Sequence, residues 1–78
     1  MRLLAFAQAR DLLGGSESDL PLLPGDTPAL LLDRHFPGTR ATLPKGTRPA
    51  LVETYATWDT PIPPGTNELA ILPPVSGG

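Results

Sequence analysis

The sequence predicts a two-layer α+β fold, a mixed sheet packed on one main helix. Three observations carry this. Apolar blocks of strand length stand near both ends of the chain, at Arg2–Phe6 and Glu68–Leu72. Between them, Thr27-Pro28 opens a segment with the apolar spacing of a helix. Turn residues separate the blocks, with 11 prolines and 8 glycines among 78 residues. The 40% hydrophobic content sits in blocks between those turns, which is the pattern of a folded chain rather than a disordered one.

Each element follows from its residues. Arg2 to Phe6 is a strand, and Ala7 to Leu13 holds helix formers that stop at Gly14-Gly15, where glycine supplies the left-handed residue after a helix. Ser16 to Ser18 is expected as a polar turn. Asp19 to Leu23 is expected as the second strand, with Pro21 restricting it to an edge. Pro24-Gly25-Asp26 is a turn, and Thr27 and Pro28 are the N-cap and first residue of the main helix. That helix carries Leu30, Leu31, Leu32, His35 and Phe36 until Pro37-Gly38 ends it. Gly38 to Arg48 reads as loop, with a turn at Pro44-Lys45-Gly46. Ala50 to Thr57 alternates in part and carries β-branched and aromatic residues, so it is expected as strand. Trp58 to Gly65 is a compact connection, and Glu68–Leu72 is the last strand. Pro73-Pro74 closes it, because proline donates no ladder hydrogen bond. The first and last strands then lie side by side in parallel, crossed over by the main helix.

Composition narrows the function classes. A chain of this length forms one domain, and without cysteine it has neither a disulfide nor a side-chain thiol to react. Six basic and eight acidic residues give a net charge of −2 with no basic track, which argues against a nucleic-acid partner. No apolar run approaches the ~20 residues of a membrane span. Gln8, Arg10 and Asp11 interrupt the apolar start before it resembles a signal peptide. A cytoplasmic protein is expected. His35 has no neighbouring ligand residues, so no metal is expected; Trp58 reads as a packing anchor, and Gly14-Gly15 lacks the spacing of a phosphate loop.

The sequence ends at Val75-Ser76-Gly77-Gly78. Two glycines after a small serine make a thin tether that threads a channel too narrow for ordinary side chains. A terminal carboxylate on Gly78, with an ordinary pKa near ~3.5, is ionised at neutral pH and able to attack the α-phosphate of ATP. A frayed end or an incidental remnant would carry the same dipeptide.

Three stretches give the chain a family likeness. They are Phe6-Ala7-Gln8-Ala9-Arg10-Asp11-Leu12, Asp59-Thr60-Pro61-Ile62 with Gly65, and the ending Glu68-Leu69-Ala70-Ile71-Leu72-Pro73-Pro74-Val75-Ser76-Gly77-Gly78. With the element order, they resemble the ubiquitin-like β-grasp sulfur carriers, and most closely the small subunits of molybdopterin synthase. Carriers for thiamine and tRNA thiolation share the Gly-Gly but usually lack Pro-Pro-Val before it. The chain departs from the pattern at Glu53, where the family often has asparagine, and at Thr66-Asn67, which is one residue longer. It also departs at Gly38–Arg48, which has less helix.

The resemblance implies a β-grasp domain over residues 1–72 and a sulfur-transfer tail over 73–78. It implies that an ATP- and Mg-dependent adenylyltransferase activates Gly78, and that a sulfur donor turns the adenylate into a thiocarboxylate. The tail, Pro73, Pro74, Val75, Ser76 and Gly77, would then thread into a catalytic large subunit in a heterotetramer and deliver sulfur to a cyclic pyranopterin. The small subunit is not an enzyme on its own and binds no cofactor. Phe6, Tyr55 and Leu72 match positions of an apolar patch that contacts both partners. Carriers for other thiolated products, a ubiquitin-like modifier joined to lysines, and a plain interaction domain remain alternatives.

Overall fold

The computed structural model describes residues 1–51 and 54–74, with 54 and 55 described as backbone. It is a small α+β domain. The elements run β1 (Arg2–Ala5), α1 (Gln8–Leu12), β2 (Glu17–Asp19), α2 (Pro28–His35), a short 3-10 turn (Arg40–Thr42), β3 (Arg48–Leu51), β4 (Thr54–Tyr55) and β5 (Glu68–Leu72). The strands form one mixed sheet in the order β2-β1-β5-β3-β4. β1 and β5 are parallel, pairing Arg2 with Glu68 through to Ala5 with Ile71, as the two end blocks of the sequence predict. β3 runs antiparallel to β5, and β2 antiparallel to β1.

The core lies on one face of this sheet. Alternation in β1 and β5 turns Leu3, Ala5, Leu69 and Ile71 inward, where they meet Leu31 and Leu32 of α2 with Ala9, Leu13 and Ile62. Fully burying a leucine or isoleucine is worth about 1.5–3 kcal/mol each, so this cluster is the main source of stability in a chain with no staple. Thr27 caps α2, its Oγ1 accepting from the Leu30 N–H at 3.1 Å, with Pro28 in the first turn. α1 ends as expected: Gly14 has φ 79°, and the Gly15 N–H reaches back to the Arg10 carbonyl at 2.9 Å.

Four expectations are corrected. The second strand is Glu17–Asp19, within the stretch expected as a turn, and Asp19–Leu23 is not a strand beyond its first residue. Pro21 has no N–H to pair, and Leu20 and Leu22 pack on the core from a loop instead. The polar strand holds its register through backbone bonds, Ala5 N–H to Ser16 O and Leu20 N–H to Met1 O. The strand expected over Ala50–Thr57 is two antiparallel segments, and the first begins at Arg48. Pro49 fits inside β3 because β4 pairs only with Ala50 and Leu51, so its missing donor breaks no bond on that side. The main helix stops at His35, leaving Phe36 as its C-cap. The loop expected at Gly38–Arg48 contains the 3-10 turn at Arg40–Thr42.

Trp58 packs against the core, and its carbonyl accepts from the Ala29 N–H at 3.0 Å. The Arg40 guanidinium lies 5.8 Å from the centre of the Trp58 ring and is held by Asp33 through bonds of 3.1 and 2.9 Å. Among the described residues no helix is long and apolar enough to cross a membrane.

Candidate functional site

The parallel pairing of β1 with β5 gives the site its position. Both strands run in one direction, so Phe6 after β1 and Leu72 at the end of β5 reach the same end of the sheet. Two of the three expected patch residues are thereby brought together. Phe6 is 47% exposed, a large apolar ring left in solvent. Leu72 is half-buried and follows the alternation of β5 onto the face away from the core, with Ala70 and Glu68. Across the sheet, Leu72 pairs with Arg48 and Ala70 with Ala50. Tyr55 stands opposite Ala50 in β4, and its side chain lies outside the described residues.

Phe6 has a strained neighbour that sequence reasoning missed. Ala7 has φ 49° and ψ −126°, a conformation that favours glycine. The Ala9 N–H donates to the Phe6 carbonyl at 3.0 Å, closing a tight turn around Ala7. Backbone strain of this kind costs on the order of 1–3 kcal/mol and persists only where the surroundings enforce it. Here the turn drives the chain directly from β1 into α1, with buried Ala9 fixed on the core and Phe6 outside. No pattern in the sequence marks it, because the residue is alanine.

The tail begins beside this patch. Pro73 and Pro74 follow Leu72 without strand pairing, and both are half-buried. Val75, Ser76, Gly77 and Gly78, which carry the expected chemistry, lie outside the described residues, as does Glu53.

The opposite end of the sheet is built differently. Arg2 pairs with Glu68 through a charged hydrogen bond, and its Nη1 lies 3.5 Å from Glu17. Next to this end, Asp26 is 4% exposed and ties three segments together. Its carboxylate accepts from the Leu23 N–H at 2.9 Å and from Arg34 Nη1 and Nη2 at 2.8 and 2.5 Å, while its carbonyl accepts from the Ile62 N–H at 2.8 Å. The Arg34 hydrogen bond is the main cause holding this carboxyl down at about 2. A cleft of about 340 Å³ lies alongside, lined by Met1, Leu22, Leu23, Pro24 and Ile62 among others. Among the described residues its lining holds no titratable side chain, and its polar side chains are those of Thr66 and Asn67.

His35 is half-buried, and among the described residues its enclosed Nε2 has no hydrogen-bond partner. Among the described residues no group of His, Asp and Glu is placed to hold a metal ion. No family model and no curated protein matches this chain.

Proposed function

We propose that this chain is a sulfur carrier of the ubiquitin-like β-grasp type, and that it serves as the small subunit of a molybdopterin synthase. The observation that carries the reading is the exit of the Pro-Pro-Val-Ser-Gly-Gly sequence from a strand in the middle of the sheet, next to exposed Phe6. A tail so placed is anchored at its root. Its six residues from Pro73 to Gly78 extend roughly 20 Å at ~3.3 Å each, which reaches a buried site in a docked partner. Two prolines at the root favour extended backbone and lower the ordering cost of insertion.

The chemistry resides in Gly78. An oxygen of its terminal carboxylate attacks the α-phosphorus of ATP on an adenylyltransferase, and pyrophosphate leaves. Sulfide then displaces AMP from the acyl carbon, leaving a thiocarboxylate. The thiocarboxylate sulfur attacks an electrophilic carbon of a cyclic pyranopterin inside the catalytic large subunit and displaces an oxygen group. Water then hydrolyses the acyl–sulfur bond, leaving the sulfur on the pterin and restoring the Gly78 carboxylate, with the acid–base groups supplied by the large subunit. The patch around Phe6, Leu72 and Tyr55 docks each partner in turn, and the carrier itself works in the cytoplasm without a bound cofactor.

Incubation with an adenylyltransferase of this class, Mg·ATP and sulfide, followed by intact-mass measurement, tests the reading. A gain equal to exchange of one oxygen for sulfur, located at Gly78 by fragmentation, is expected. An unchanged mass with an enzyme that activates a known carrier sinks it.

A further inference from the structure

We propose that the turn at Pro44–Thr47 is a seat for the root of the C-terminal arm, and that Gly46 is the positioning residue that sets the direction in which the chain leaves the sheet at Pro74. This deepens the carrier reading and rests on it for its consequence in sulfur transfer. The contact between Gly46 and Pro74 does not depend on that reading.

The register places the two residues together. The last pairs of the β3–β5 ladder are Pro49 with Ile71 and Arg48 with Leu72. Continued two steps further, the same antiparallel register sets Thr47 beside Pro73 and Gly46 beside Pro74. Neither proline donates a hydrogen bond, so the ladder stops there as a bonded structure. The close approach nevertheless continues. A Cβ built on Gly46 would stand 3.0 Å from Pro74 Cβ, 3.9 Å from its Cα and 4.0 Å from its Cγ. The pyrrolidine ring of Pro74 therefore occupies the space that a side chain on residue 46 would need.

The seat is rigid. Thr47 is buried, and both its N–H and its Oγ1 donate to the Pro44 carbonyl, at 3.0 and 2.6 Å. Gly46 within that turn has φ 93°, so the backbone favours glycine there as well. Gly14, Gly25, Gly38 and Gly65 also have positive φ, yet a Cβ on any of them would meet nothing within 4 Å. Among the described glycines only Gly46 combines the left-handed turn with a close neighbour, and that neighbour is the root of the arm. An arm fixed at its root samples fewer directions, which lowers the entropic cost of entering a narrow channel.

Comparison of Gly46→Ala with Gly38→Ala separates seat from turn. Both place alanine at positive φ, and only the first meets Pro74. The chain has no cysteine, so Ser76→Cys carrying a nitroxide reports where the arm lies through broadening of backbone amide signals. Broadening concentrated at Lys45, Gly46 and Arg48 is expected in the otherwise unchanged chain. In Gly46→Ala it falls several-fold at these amides and spreads, while Gly38→Ala keeps the original pattern. Even broadening in the parent chain, or equal behaviour of the two glycine variants, overturns the proposal. If Gly46→Ala does not fold, the parent pattern decides, together with cross-relaxation between Gly46 Hα and Pro74 Hβ. In the thiocarboxylation assay, with Ser76 intact, Gly46→Ala is expected to lower kcat/KM about fivefold through KM, with kcat kept. An effect on kcat alone counts against the seat. Failure of the parent chain to be thiocarboxylated sinks the carrier reading, and the amide pattern still decides whether the seat exists.

Discussion

The two ends of the β1–β5 pair are finished in opposite ways. At the start, Arg2 bridges Glu68 and Glu17, its N–H donates to the Asn67 carbonyl at 2.7 Å, and the Asp26–Arg34 pair locks the neighbouring loops. At the finish, the bonded ladder stops at two prolines, Phe6 is left half in solvent, and Leu72 sits on the face without the helix. One end spends its polar groups on itself. The other leaves Phe6 uncovered beside the root of the tail, although Leu23 near the charged end is as exposed. The difference teaches where a partner has something to gain: desolvating Phe6 returns apolar burial, whereas covering Arg2 would cost the hydration of several charges.

The strongest break of this comparison removes the last residue at the open end. Deletion of Gly78 is expected to abolish the mass gain with adenylyltransferase, ATP and sulfide, while the melting temperature stays within a degree or two of the parent. Residual sulfur incorporation would move the reactive carboxylate elsewhere.

At the closed end the largest effect is on folding. Asp26→Asn is expected to lose on the order of 2 kcal/mol at neutral pH, a fall of about 10 °C or more in Tm for a domain of this size. The sign follows from the depressed carboxyl, whose ordinary value is 3.8 and whose folded value is about 2. Its contribution is complete above the unfolded value and disappears as pH drops through this window. Thermal melts of parent and variant should therefore converge between pH 4 and pH 2. A constant gap would place the role of Asp26 in its shape rather than its charge.

Phe6→Asp sharpens the contrast from the open side. Calorimetric titration with the adenylyltransferase should show affinity about tenfold weaker or more, equivalent to ~1.4 kcal/mol or above, with little change in Tm because the ring is not buried. Unchanged affinity removes Phe6 from the docking face. The smallest effect is expected for Arg2→Ala. An exposed ion pair contributes little, so stability should drop slightly, more in low salt than in high, and partner affinity should stay as it was. A large loss of affinity there would erase the distinction between the ends.

Much of the frame is legible in the residues. The end blocks predict β1 and β5, Thr27-Pro28 predicts the capped start of α2, Gly14 predicts the stop of α1, and Pro73-Pro74 predicts where the bonded sheet ends. What is hidden depends on contacts between distant segments or on backbone bonds that any side chain permits. Glu17–Asp19 has no strand signature; it pairs because β1 presents a free edge. Val52 and Glu53 include no turn residue, so nothing in the sequence separates β3 from β4. Asp26 reads as a turn residue and acts as a buried anchor because Arg34 arrives from the helix. Ala7 is invisible for the opposite reason, an ordinary residue in an unusual conformation. At the candidate site, the motif names the tail and Phe6, while the approach of Gly46 to Pro74 needs two strands laid side by side.

The place of β5 in the sheet has a mechanical consequence. A partner that grips the tail pulls along a strand bonded to β1 on one side and β3 on the other. Load applied along its axis is shared by both ladders in shear, instead of peeling an edge one bond at a time. On the carrier reading, a pull on the tail would pass to two ladders at once and leave the domain folded.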